Sequence, residues 1–551
     1  MSSSSSTASD APEPSGSSAV PRHGSTEVPP VASPPRRIAW RPAVGIVLGI
    51  ALFMVVVNLL PDFDPQIRQL LNQLLPALAA GLLALWWIFA SRGNVRARVV
   101  SAVVLLLLVV AFVASIRRVG LTGDFVFDFT WRWSPDVEHD VAALVGNASA
   151  QRVDLRATTP HDFPQFLGPM RDARVPDVRL ERDWAAHPPR LLWRQLVGTG
   201  WSGFAVVGPY ALTQEQRGEQ QLVVCYELET GRIRWIHTEP SAYHSVIAGD
   251  GPRATPTVAD GRVYTVSVFG QLTCLDGATG EVVWTTNFRD DTDAPPPEWG
   301  YACSPLVLDN VVVVTPGALD GRSLVAYDRH TGAYAWGGGN DVASYSSPAL
   351  ATLAGVPQIL VLNHTSVTGH DPQTGAVLWR QPWEGDNAKV TQPTVWEGDK
   401  LFVASGYGVG CGLYRLTPGG ATEGDAWLVE ELWRNKNLKT KFTNVAQREG
   451  FVYGLDEGIL ACVELATGRR LWKSGRYGHG QLLLVDDLLL IQSEPGDVVL
   501  VEATPEEHRE RGRLAALSNR TWNSPTLAGR YLLVRNDKEA ACYELVLRGA
   551  P

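Results

Sequence analysis

Two kinds of apolar pattern divide the chain. Between residues 43 and 116 the apolar residues fall into three long blocks, 43–60, 70–90 and 99–116, each close to the length a helix needs to cross a bilayer. From about residue 190 they come instead in short runs bounded by Gly, Asp and Pro, the length and punctuation of β-strands. The first pattern predicts three membrane-spanning helices, and the second predicts sheet.

The short runs repeat. Cys274-Leu-Asp-Gly-Ala-Thr-Gly-Glu-Val-Val-Trp284 reads as two strands and the turn between them, with Asp276 accepting hydrogen bonds from the turn backbone and Gly280 supplying a positive φ. The same phrase runs from Cys225 to Trp235, Ala326 to Trp336, Gly369 to Trp379 and Cys462 to Trp472. Leu413 meets Trp433 only after a Gly-rich insertion, and Leu500-Val501-Glu502 has its tryptophan position expected near Leu514. An opening at Cys542-Tyr543-Glu544-Leu545 lacks its closing strand, while Leu191-Leu192-Trp193-Arg194 is a closing strand without an opening. The openings are spaced like four-stranded blades, so the prediction is an all-β, eight-bladed β-propeller over residues 190–548, closed by strand exchange between its two ends.

Composition changes the picture at the N-terminus. Residues 1–38 are rich in Ser, Pro and Ala with few large apolar groups, and are expected to be disordered. Arg36, Arg37, Arg41, Arg92, Arg96 and Arg98 flank the spans on one side, against Asp62 and Asp64 in the other loop. The positive-inside rule then puts the N-terminus in the cytoplasm of a bacterial inner membrane, with the first span a signal anchor and the propeller in the periplasm. Arg117 and Arg118 after the third span run against this bias. Residues 119–189 form a connector, in which the aromatic stretch Phe127 to Trp133 lies on the membrane or under the propeller, Asp136 to Ala150 forms a short helix, and Phe163 to Pro169 is an ordered loop. The net charge of -9, without a dense basic patch, excludes a nucleic-acid partner.

The phrase Asp-x-x-Thr-Gly-x-x-x-Trp resembles the docking motif of the pyrroloquinoline-quinone-like (PQQ-like) propeller superfamily, over residues 160–548. Thr213 to Gly218, Gly251 to Pro256 and Tyr345 to Pro348 are similar to bacterial PQQ-binding-like repeat proteins with a membrane segment ahead of the propeller. The resemblance implies either a quinoprotein dehydrogenase or a cofactor-free, BamB-like propeller. The recurring tryptophans and the aligned Asp276, Asp328, Asp371, Glu227, Glu464 and Glu544 are read as packing and turn residues. Six cysteines include no adjacent pair of the kind alcohol-type quinoproteins place against the quinone, and no Cys-x-x-Cys-His haem site. Four of them share one strand position, which suits small buried side chains.

Residues just ahead of each blade face the central channel. The candidates are Trp201, Tyr243, His244, Arg253, Trp299, Tyr345, Gln392, Tyr407, Asn444, His479 and Trp522. Their aromatic faces stack on a planar ring, Arg253 pairs with a carboxylate, and His244 and His479 are either acid–base groups or structural histidines. Glu298 and Asp456, placed near the rim, make no calcium ligand phrase, and no metal or catalytic residue is assigned. Lys436, Lys439 and Lys441 attract an anion if they face the channel. The expected function is a membrane-anchored extracytoplasmic scaffold without a bound cofactor, meeting a protein or polymer on rim loops such as 286–300 and 410–430. The alternative is a dehydrogenase for sugars or alcohols that uses PQQ with calcium and passes electrons to membrane quinone.

Overall fold

Eight sheets, each built around four antiparallel strands, follow one another from Ala205 to Glu544; the seventh carries a fifth, parallel strand, and the last draws its fourth from ahead of the ring. The computed structural model describes residues 38, 40–60, 63, 65–121, 125–134, 144, 152–419 and 427–549. The expected disordered tail, apart from residue 38, the helix at 136–150, apart from residue 144, and Asp62 and Asp64 lie outside the described residues, as do positions 420–426 of the 410–430 loop.

Blade 1 begins at Ala205–Val207, blade 2 at Thr257–Ala259, blade 3 at Leu306–Val307 and blade 4 at Ala349–Leu353. Blades 5 to 8 begin at Thr394–Trp396, Ala446–Arg448, Gln481–Val485 and Thr526–Ala528. The first strands of neighbouring blades approach one another and form the inner ring. Blade 8 takes its fourth strand, Arg190–Leu196, from the start of the domain, with Trp193 opposite Cys542 on Glu539–Glu544. Arg535, fully buried, ties this seam to blade 1 by donating to Gly198 O (2.9 Å), Gln214 O (2.7 Å) and Thr213 Oγ1 (2.7 Å).

The repeated phrase is the joint between blades. The outer-strand tryptophan of one blade lies on the turn glycine of the next, and its indole N–H donates to a carbonyl of that turn: Trp235 to Gly277 O (3.0 Å), Trp284 to Arg329 O (3.1 Å) and Trp433 to Leu465 O (2.8 Å). A Cβ at Gly280 would meet Trp235 at 2.5 Å, and one at Gly332 would meet Trp284 at 2.6 Å. Both glycines also have left-handed φ, +77° and +75°, so the position excludes side chains twice over. The aligned acids shape the turn. Asp328 Oδ1 accepts from Thr331 Oγ1, Thr331 N and His330 N, and these bonds hold its carboxyl below the usual range. Cys225, Cys274, Cys462 and Cys542 each sit directly opposite a blade tryptophan. All six cysteines are buried and unpaired, and burial raises their thiols, that of Cys274 to about 11.

Blade 7 departs from the expected register. The residue opposite Leu500 is Gly512, and Leu514 lies two positions further on, opposite Val498. Trp184 of the connector fills the gap: a Cβ at Gly512 would meet its ring at 2.9 Å. The tryptophan absent from the blade is therefore supplied from the segment that precedes the propeller. That segment continues across the ring. Phe163 bridges Val206 of blade 1, Arg171 donates to Ser304 O and Pro305 O of blade 3, and Arg174–Val175 adds a parallel strand to blade 7.

The N-terminal unit contains α1 (Arg41–Leu59), most of α2 (Pro65–Leu85, continued by a π-helical turn at Trp86–Ala90) and most of α3 (Val95–Ser115). Three helices here, Arg41–Leu59, Ile67–Ala90 and Val95–Ser115, are long and apolar enough to cross a membrane. Asn58 and Asn72 exchange reciprocal side-chain hydrogen bonds at 2.9 and 3.2 Å, satisfying the two amides within the apolar segments.

Candidate functional site

The loops that lead into the blades differ in length and sequence, unlike the docking turns, and their aromatic residues converge on the central channel. They enclose a cavity of 240 Å³ whose wall includes Trp201, Arg253, Trp299, Tyr345, Tyr407, Phe442 and Trp522. Phe166 of the connector and Phe125 also line it. Seven of the eleven candidates, Asn444 among them, meet here. His244 does not: it is half exposed, with Nδ1 3.3 Å from Asp250. His479 does not line the cavity either. It is buried behind the wall, its ring 5.4 Å from that of Phe442. Tyr243 and Gln392 also stand behind the lining, Gln392 donating to Ser347 O at 2.9 Å.

The wall is held by its own contacts. Trp201 and Trp522 lie with ring centroids 4.8 Å apart, and their indoles donate to Ala248 O (2.7 Å) and Glu494 Oε1 (2.8 Å). Trp299 stacks on Tyr345 at 5.4 Å, while its backbone N–H donates to Tyr345 Oη at 3.0 Å. Burial pushes the Tyr345 phenol up to about 12, so it remains a neutral hydroxyl.

Cations stand against these rings. The Arg520 guanidinium lies 5.0 Å from Trp201 and 4.7 Å from Trp522, Lys441 lies 5.0 Å from Tyr407, and Arg253 lies 4.6 Å from Tyr243. Three of the five Arg253 N–H groups donate to Gly251 O, Ala248 O and Gly249 O and so brace its own loop. Of the lysine cluster, Lys441 is buried against the wall, Lys439 pairs with Glu457 and Asp456, and Lys436 is exposed.

Two buried polar atoms in the lining have no hydrogen-bond partner among the described residues, Asn444 Nδ2 and Gln481 Oε1. Gln481 donates its amide hydrogens to Phe442 O and Trp522 O, and Asn444 Oδ1 accepts from Gln392 N. A free donor and a free acceptor therefore remain beside the aromatic wall. Gln481 escaped the sequence reading because it lies in the first strand of blade 7 and not in the loop ahead of it.

The calcium-bound quinone of the dehydrogenase alternative does not fit these residues. Calcium takes about six to eight oxygen ligands, carboxylates prominent among them. Among the described residues, no Asp or Glu lines the cavity. Asp456, expected near the rim, is instead buried in blade 6 with Lys473 (2.5 Å) and Arg470 (3.2 Å), and Glu298 has an exposed side chain. Among the described residues, no group of three or more His, Cys, Asp or Glu side chains is arranged to hold a metal ion.

Residues 219–474 match the family described as "Outer membrane protein assembly factor BamB". The chain is also 28% identical over 217 residues to quinohemoprotein alcohol dehydrogenase ADH-IIG of Pseudomonas putida, a match covering 34% of this chain and 29% of that protein. It is 30% identical over 167 residues to 1-butanol dehydrogenase (cytochrome c) of Thauera butanivorans, covering 30% and 20%. The matches thus span less than a third of either relative. The solved structure of ADHIIG from Pseudomonas putida HK5 shares the fold with a TM-score of 0.52 at 12% identity, covering 71% of this chain and 83% of that one. With its docking phrase and its eight blades, the repeat domain of this chain is thus an eight-bladed β-propeller similar to PQQ-like propellers, over residues 219–474 by its family match.

Proposed function

We propose that this protein is a membrane-anchored binding platform that presents its propeller outside the cytoplasm and works without a calcium-bound quinone. The observation that carries this reading is the composition of the channel: an aromatic wall backed by cations, a free amide donor and acceptor, and no carboxylate in the lining among the described residues. Such a site suits a planar group or a peptide side chain that stacks on Trp299 or Trp522. The three apolar helices support anchoring, and the arginine bias supports a cytoplasmic N-terminus in an inner membrane with the propeller in the periplasm. The family's description as an assembly factor supports a protein or polymer partner on the rim.

The test is turnover. Purified full-length protein, incubated with PQQ and calcium and offered alcohols or sugars, is expected to reduce an electron-accepting dye no faster than the buffer does. Sustained, quinone-dependent dye reduction would overturn the reading in favour of a dehydrogenase.

A further inference from the structure

The third apolar helix does not hand over to a flexible linker. It ends at Ser115, and the strand Ile116–Leu121 begins at the next residue, pairing with Phe127–Trp131 in a two-stranded hairpin. Side chains alternate across a strand, so Phe127, Phe129, Trp131 and, just beyond the strand end, Trp133 recur on one face. They form a continuous ladder with ring centroids 6.1, 6.0 and 5.3 Å apart. Phe112, in the last turns of the helix, packs edge-on against Phe129 at 5.8 Å and Trp131 at 6.0 Å. The ladder is thus continuous with the apolar span, and its last ring, Trp133, is 71% exposed.

Polar contacts fasten the hairpin to the propeller. Arg520 donates to Leu121 O and fits against Gly120, and Arg118 lies 3.3 Å from Asp250. Arg117 donates to Arg132 O at 2.6 Å. Arg117 and Arg118, which run against the arginine bias of the spans, are thereby occupied in holding this element.

We infer that the hairpin is an interfacial anchor, whose aromatic ladder lies in the headgroup layer of the bilayer. The inference rests on the membrane anchoring proposed above. Two features support the lipid interface as partner: direct continuity with a span, and the tryptophan and phenylalanine content typical of interfacial belts.

The experiment places an environment-sensitive thiol label at one position of the full chain in phosphatidylcholine and phosphatidylglycerol vesicles, brominated either near the headgroup or near the chain end. The native cysteines are buried with raised thiols and leave the introduced one as the reactive site. Labels go on W133C, on Leu107→Cys within the third span, and on Gln373→Cys in an exposed docking turn. Shallow bromines are expected to quench the label at 133 strongly and deep bromines weakly, with the reverse order at 107 and no quenching at 373. An unlabelled W133F chain should lose part of the intrinsic quenching by shallow bromines. Quenching at 107 with none at 133, or W133F quenched like the parent, would overturn the hairpin inference alone. Absence of quenching at 107 would overturn membrane anchoring itself.

Discussion

The docking girdle and the channel wall are both aromatic, yet they are built in opposite ways. In the girdle Trp193, Trp235, Trp284, Trp336 and Trp433 each face a position stripped to glycine, and a phrase repeated from blade to blade makes the same joint. In the channel each ring comes from a loop of its own length, stacks on a different neighbour and leaves two amide atoms unpaired. Repetition marks the residues that hold the ring together, and departure from repetition marks those free to meet a ligand.

The sharpest contrast is between two tryptophans. Trp284→Ala should cost about 3–5 kcal/mol, because it empties a fully packed joint and removes one of the two hydrogen bonds to the Arg329 carbonyl, leaving that from Tyr264 Oη. Trp299→Ala in the half-exposed wall should cost less than about 1.5 kcal/mol. Chemical denaturation of the two variants measures both, and equal losses would erase the distinction between the regions.

Two glycines separate conformation from crowding. Gly332 and Gly355 both have left-handed φ, +75° and +79°, but a Cβ at Gly355 meets nothing within 4 Å. Gly355→Ala should therefore lose about 1–2 kcal/mol to backbone strain, and Gly332→Ala should lose a further ~1–3 kcal/mol to collision with Trp284. If both variants melt at the same temperature, the tryptophan joint is looser than described.

On the channel side, stability should barely respond while binding does. An anilinonaphthalene sulfonate probe, planar and anionic, is expected to fluoresce in the cavity. Trp522→Ala should weaken its binding about tenfold through lost stacking, and Asn444→Ala should do so by a smaller factor. Unchanged titrations would move the site elsewhere.

The smallest effect is one of pH, and it belongs to the girdle. His370 is buried between Gly375 O and Thr368 Oγ1, each 2.9 Å away, and burial lowers its pKa. The unfolded chain binds the proton more readily, so this stability is present above about pH 6.5 and is lost as the pH falls further. Melting temperature followed from pH 7 to pH 5 should fall with a shallower slope in His370→Gln than in the parent chain.

The ring was legible in the sequence because strand exchange and docking both leave a spaced signature: Cys542 without a partner strand, and Trp193 without an opening. Blade 7 was only half legible. Leu500 marked the strand, but the tryptophan it lacks arrives as Trp184 from the connector, a substitution that spacing within the repeat cannot reveal. At the channel, position ahead of a blade found the aromatics. It also selected His244 and His479, because side-chain direction in an irregular loop has no period to read. The same limit hid the brace that Arg253 makes to three carbonyls of its own loop.

The most direct measurement is the calcium dependence of PQQ binding to the purified full-length protein, followed by calorimetry with and without the ion. Any association with the aromatic wall should be unchanged when calcium is added or chelated. Stoichiometric quinone whose retention requires calcium would mean that the channel holds a ligand set its carboxylate-free lining does not provide, and would contradict the account.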